Sequence, residues 1–243
     1  MYNMANRKKV LIAVCILSAL LLLVTSFYTQ VFYRADQTAI DALSSDELVN
    51  ISQTDYGWFF DGPSEENAII FYPGGKVEEV AYAPMLHALA SQGVDVMLVS
   101  MPAKLAILDV DAADEVLTQY DYDHWYICGH SLGGACVSIY ASENTEKFDG
   151  IILLGAYASE PLGDMRALLI YGSEDQVMDR EKYAESRTNV REDAVEFVIE
   201  GGNHAQFGSY GAQKGDGEAS ITGQEQIEIT VSVIISFVQA GQQ

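Results

Sequence analysis

The sequence predicts an α/β fold, a mostly parallel sheet with helices on both faces, preceded by one apolar N-terminal segment. Three observations carry this. Short continuous apolar runs recur along the chain, namely residues 68–72 (AIIFY), Gly150–Leu154 (GIILL) and residues 167–171 (ALLIY), and such runs suit strands covered on both faces. Segments of helical period lie between them, and a strand–helix–strand order favours parallel pairing with right-handed crossovers. Finally, residues 10–33 contain no charged side chain.

That uncharged segment sets the expected organisation. Its most apolar part, VLIAVCILSALLLLV, directly follows Arg7-Lys8-Lys9. About 20 apolar residues at about 1.5 Å rise each span a hydrocarbon core of about 30 Å, and basic residues on the amino side keep that end cytoplasmic. The chain therefore divides into a basic cytoplasmic N-terminus (1–9), a transmembrane signal-anchor (10–33), a polar stalk (34–46, RADQTAIDALSSD) and an extracytoplasmic α/β domain (47–243). A cleaved signal peptide, cut after Ser26 and leaving a secreted protein, is the alternative. Phe27, Tyr28, Phe32 and Tyr33 prolong the apolar character and suit a membrane interface, which favours the anchor.

Within the domain, strands are expected at 48–53, 57–61, 68–72, 94–100, 125–128, 150–154, 167–171 and 195–199. No helix separates the first two, so they form an antiparallel edge. Helices are expected at 82–91, with Met85, Leu86 and Leu89 at helical spacing, and at 112–120, 132–142 and 179–186. The last, at 224–239, places Ile227, Val231, Ile234, Ile235 and Val238 on one face.

Of the 243 residues, 49% are hydrophobic, enough for a sizeable core. All 35 acidic residues lie from Asp36 onward, whereas Arg7, Lys8, Lys9 and Arg34 of the 13 basic residues precede it. A domain this acidic repels phosphate backbones, so a nucleic-acid partner is not expected. The cysteines, Cys15, Cys128 and Cys136, make no disulfide framework. Neither a paired-ligand spacing for a metal nor a P-loop is present, and no cofactor is expected.

The chemistry centres on Gly129-His130-Ser131-Leu132-Gly133, a G-x-S-x-G pattern set between a strand (HWYIC) and a helix (LGGACVSIYA). Such a pattern presents serine on a sharp strand-to-helix turn. A serine hydroxyl needs a base held by a third group, and His204 alone among the four histidines follows Ser131 at a distance. It lies in a loop beyond the strand VEFVI. Asp175, after the strand ALLIY, is the candidate acid, with Glu174 its immediate competitor. A developing oxyanion needs two main-chain N–H donors. Leu132 supplies one, and Gly75 or Lys76, in the loop Pro73-Gly74-Gly75-Lys76-Val77, the other.

Four blocks in order, FYPGGKVEEVAYAPMLHALASQGVDVMLVSMPAKLAIL, CGHSLGG, LLIYGSEDQVM and IEGGNHAQFGSYGAQKGDG, resemble the α/β-hydrolase superfamily. More narrowly the chain resembles the small bacterial α/β-hydrolase-5 group, akin to dienelactone hydrolases, over roughly residues 55 to 240. The resemblance implies an α/β-hydrolase fold and a Ser131–Asp175–His204 triad. It implies a serine hydrolase that acts on an ester or related acyl bond of a small molecule. Dienelactone hydrolases use cysteine where this chain has Ser131, so their particular reaction does not carry over. No role attaches to Gln206, Lys214 or Asp216 in the final block. Acyl transfer by the same triad, or ligand binding by a silent scaffold at the cell surface, are the alternatives. Only residues 155–166 separate two consecutive strands, too few for a cap domain. The expected site is thus a shallow cleft walled by residues 74–77, 157–162 and 205–210.

Overall fold

The computed structural model describes residues 4–241. The chain divides into two compact units, Met1–Phe32 and Tyr33–Gln243. The first is a single helix, α1 (Met4–Gln30), rich in the strong helix formers leucine and alanine. Val10, Leu11, Ile12, Val14, Ile16, Leu17, Leu20 and Leu23 are each more than half exposed on it. The side chains of residues 21, 22, 24–27 and 29, part of the predicted anchor, lie outside the described residues. Among the described residues no helix is long and apolar enough to cross a membrane.

The second unit is an eight-stranded sheet in the order β1-β2-β4-β3-β5-β6-β7-β8. Its strands are β1 (Asn50–Gln53), β2 (Gly57–Asp61), β3 (Asn67–Tyr72), β4 (Val94–Val99), β5 (His124–His130), β6 (Gly150–Leu154), β7 (Arg166–Gly172) and β8 (Val195–Ile199). Strand β1 pairs antiparallel with β2, and β2 antiparallel with β4; every other pairing is parallel. The apolar runs take the central positions, where both faces are covered. Ile69 and Phe71 of β3 point to one core, Ala68, Ile70 and Tyr72 to the other, as the two-residue period of a strand requires.

Helices α3 (Ala83–Ala90) and α7 (Gly223–Ala240) supply the first core through Met85, Leu86, Val231 and Ile234. Helices α4 (Ala113–Leu117), α5 (Leu132–Glu143) and α6 (Arg180–Ser186) supply the second through Val116, Cys136, Val137 and Tyr183. A capping box between Thr222 and Glu225 starts α7. Residues 155–165, between β6 and β7, form no helix or strand. Edge strand β8 leaves Val195, Glu196 and Phe197 exposed.

Residues 34–46 are not a free stalk. They contain α2 (Gln37–Asp41), capped by the Asp36 carboxylate on the Ala39 N–H, and Ala39 is fully buried. The Tyr33 N–H donates to the Lys76 carbonyl at 2.7 Å, its carbonyl accepts from Glu78 at 2.8 Å, and the Asp36 N–H donates to Ser209 at 2.8 Å. The domain thus begins at Tyr33, within the segment 10–33 expected to be anchor. Polar composition suggested exposure, but Asp36 is a helix cap, while Tyr33, Ala35 and Leu43 pack against the core.

Candidate active site

Strand β5 runs into the turn that holds Ser131 at φ 53°, ψ −121°, a sparsely populated conformation for a non-glycine residue. The turn is tight because its neighbours are glycines. A Cβ on Gly133 would lie 2.3 Å from the Tyr72 carbonyl oxygen, and one on Gly129 2.5 Å from the Gly133 carbonyl carbon. The Ser131 N–H donates to the Leu154 carbonyl at 2.9 Å, tying the turn to the end of β6. Ser131 therefore stands at the N-terminus of α5, where the first N–H groups have no intrahelical acceptor.

Asp175 follows β7 and His204 follows β8, and the structure brings the two together. His204 Nδ1 lies 2.8 Å from Asp175 Oδ2, with both side chains buried. The other carboxylate oxygen, Oδ1, accepts the N–H groups of Val177 and Met178, each at 2.9 Å. Burial acts to raise the Asp175 carboxyl, but the His204 hydrogen bond and charge and the two main-chain donors outweigh it. They hold the group below the usual carboxylate range. With Nδ1–H assigned to the carboxylate, Nε2 is the ring nitrogen left to take a proton. It is buried and has no hydrogen-bond partner among the described residues. Ser131 thus makes no hydrogen bond to it here; such bonds often tighten only around substrate. Glu174, the competing acid, bonds instead with the Ser173 hydroxyl at 3.0 Å.

Gly155, at the end of β6, has φ +51° and faces this pair. A Cβ there would lie 2.9 Å from His204 Nδ1 and 3.2 Å from Asp175 Oδ2. Only glycine combines that backbone with that space. Gln226, fully buried on α7, holds the His204 loop from behind. Its amide accepts from the Asn203 N–H at 2.9 Å and donates to the Asn203 carbonyl at 2.8 Å. Sequence reasoning assigned no role to either residue. A polar side chain inside the apolar stripe of α7 was the available signal for Gln226.

The loop 73–77 is locked by its own bonds. The Gly74 N–H donates to the Tyr82 hydroxyl at 3.0 Å. That hydroxyl in turn lies within hydrogen-bond distance of His130 Nδ1, at 2.7 Å. Buried away from water and beside His204, His130 is held well below the usual imidazole range and stays neutral. The Lys76 N–H donates to the Lys104 carbonyl at 2.7 Å, so it is not available to an oxyanion and the expectation for Lys76 is corrected. Of the three N–H groups of Gly74, Gly75 and Lys76, that of Gly75 has no acceptor among the described residues. Gly75 packs on Leu132, where a Cβ would lie 2.8 Å from Leu132 Cδ2.

The expected cleft walls are corrected: Val77, Ala158 and Leu162 are buried in the core. In the segment 205–210, Ala205, Phe207 and Tyr210 turn into the core, with Phe207 5.4 Å from the His130 ring. A cavity of about 920 Å³ lies beyond this segment, lined by Asp36, Ala205, Gln206, Asp216, Ile227 and Glu228 among others, and none of Ser131, Asp175 or His204 reaches it. Among the described residues no cluster of His, Cys, Asp or Glu is placed to hold a metal ion.

A model of the alpha/beta hydrolase family matches residues 68–228. A dienelactone hydrolase from Anabaena variabilis shares the fold at 12% identity, over 76% of this chain and 97% of that one, with a TM-score of 0.59. Est1E from Butyrivibrio proteoclasticus does so at 14% identity, over 80% and 99%, with a TM-score of 0.54. Naproxen esterase from Bacillus subtilis does so at 11% identity, over 82% and 94%, with a TM-score of 0.56. A search of curated proteins gave no match.

Proposed function

The chain belongs to the alpha/beta hydrolase family, and on that premise we propose that it is a serine hydrolase of esters or related acyl bonds, held at a membrane by its N-terminal helix. The observation that carries the reading is the buried His204–Asp175 hydrogen bond, 2.8 Å long, beside the turn that holds Ser131 at φ 53°. In this reading Ser131 Oγ attacks the acyl carbon as its proton passes to His204 Nε2. Asp175 fixes the imidazole tautomer and stabilises the imidazolium without taking the proton. The N–H groups of Leu132 and Gly75 receive the oxyanion. Collapse expels the alcohol, which takes the proton from His204 and leaves an acyl-serine. Water, deprotonated by His204, attacks the acyl carbon and releases the acid, and Ser131 recovers its proton.

The test is turnover of p-nitrophenyl acetate with rapid mixing. Wild type releases a burst of p-nitrophenol stoichiometric with enzyme wherever deacylation is slower than acylation, and Ser131→Ala loses turnover by about 10⁴-fold or more. Undiminished turnover in Ser131→Ala overturns the proposal.

Membrane attachment rests on the uncharged segment 10–33 behind Arg7-Lys8-Lys9 and on the apolar side chains that α1 exposes. The basic N-terminus stays cytoplasmic and the domain from Tyr33 onward lies outside.

A further inference from the structure

The last block of the resemblance, residues 205–217, winds back over the loops that carry Asp175 and His204. Those loops leave neighbouring strands and are joined directly upstream of the two residues, where the Glu174 N–H donates to the Gly202 carbonyl at 2.9 Å. Downstream, the Asp216 carboxylate joins them. Its Oδ2 accepts the N–H of Ala205, the residue after His204, at 2.8 Å. Its Oδ1 accepts the N–H of Gln176, the residue after Asp175, at 3.3 Å, and that of Gly217 at 2.8 Å. Gly217 engages the residues on the other side. Its carbonyl accepts from Asn203 Nδ2 at 2.9 Å, and a Cβ on it would lie 2.0 Å from the Glu174 carbonyl oxygen. Asp216 and Gly217 thus touch the chain immediately before and immediately after both Asp175 and His204.

We propose that Asp216 is a positioning residue that sets the approach of Asp175 to His204 by clamping the two loops together, an inference that rests on the serine-hydrolase reading above. Both carboxylate oxygens face N–H donors. An amide in their place presents an NH₂ to one of those donors, so at least one link opens. The substitution leaves Ser131, His204 and Asp175 chemically intact and acts only on their geometry, to which rates are steeply sensitive.

Asp216→Asn in the full-length protein is the test, with the exposed neighbour Glu218→Gln as control. Three quantities are read: steady-state hydrolysis of p-nitrophenyl acetate, the rate of labelling by a fluorophosphonate, and the downfield proton resonance of His204 Nδ1–H, identified by its loss in His204→Gln. In Asp216→Asn, kcat and the labelling rate fall about 10- to 100-fold with KM altered less than about threefold, and the resonance broadens or moves upfield. Glu218→Gln changes none of these. A lower melting temperature with kcat, labelling and resonance unchanged makes Asp216 merely structural and overturns the assignment. Should the asparagine variant fail to fold, Asp216→Glu, which displaces both acceptors by one methylene, is read in the same way. Failure of wild type to label or turn over defeats the hydrolase reading instead, and the His204 resonance then decides the clamp alone.

Discussion

Asp175 is a buried carboxylate satisfied by three donors: one imidazole and two main-chain N–H groups. Asp175→Asn leaves the size unchanged but favours the wrong His204 tautomer, and kcat is expected to fall about 10⁴-fold. Glu174→Gln, whose side chain bonds to Ser173, keeps near wild-type turnover. Because the folded Asp175 titrates below its ordinary value of 3.8, its ionisation stabilises the fold above that value. This contribution is lost as pH falls through the lower folded value. Denaturation measured from pH 7 downward should show wild type and Asp175→Asn furthest apart at the neutral end and converging in acid. Tyr82→Phe tests the other shell of the site. It removes the acceptor of the Gly74 N–H and the hydrogen-bond partner of His130 Nδ1. Each buried group left unpaired costs about 1–3 kcal/mol, and kcat falls more than KM rises as the Gly75 loop loosens.

Among the elements, the central strands were legible because each is a short apolar run covered on both faces, and α3 and α7 because their apolar residues keep a helical period. The Ser131 turn and the loops after β7 and β8 were legible for the same reason, since G-x-S-x-G, Asp175 and His204 each follow such a run. What escaped depends on contacts between distant segments. Lys76 carries an N–H in the expected place, but Lys104, 28 positions later, takes it. Gln226 and Asp216 act on the His204 loop from other parts of the chain; a polar residue inside the apolar stripe of α7 marks the first, and no local pattern marks the second. The polar look of residues 34–46 hid a helix cap and the buried Ala39. Element placement also bears on specificity. The connection of residues 155–165 is too short for a cap, and the 73–77 loop is held by bonds to Tyr82, Lys104 and Tyr33. With little acyl surface removed from water, each added methylene gains much less than the roughly 0.8 kcal/mol of full burial. Short-acyl aryl esters should therefore have higher kcat/KM than long-chain ones below micelle-forming concentrations. A steady rise with chain length would contradict this.

At the scale of the whole molecule, the two units divide between Phe32 and Tyr33. Deleting residues 1–32 should give a soluble, active domain. Deleting residues 1–46 should cost activity and stability as well, because it removes α2 and the Tyr33 bonds to Lys76 and Glu78 beside Gly75. In cells, the full chain should sediment with membranes, and its domain should be reached by a membrane-impermeant amine label added outside spheroplasts. A soluble mature protein beginning near residue 27 would instead establish signal cleavage. The central claim, that one strained serine served by a buried His–Asp pair does the chemistry, is tested most directly by mapping a covalent adduct. Full-length protein treated with a fluorophosphonate and digested should carry the phosphonyl mass on the peptide containing Ser131 alone, with labelling lost in Ser131→Ala and sharply slowed in His204→Ala. An adduct on another residue, or an unmodified Ser131 in protein that still hydrolyses esters, would contradict it.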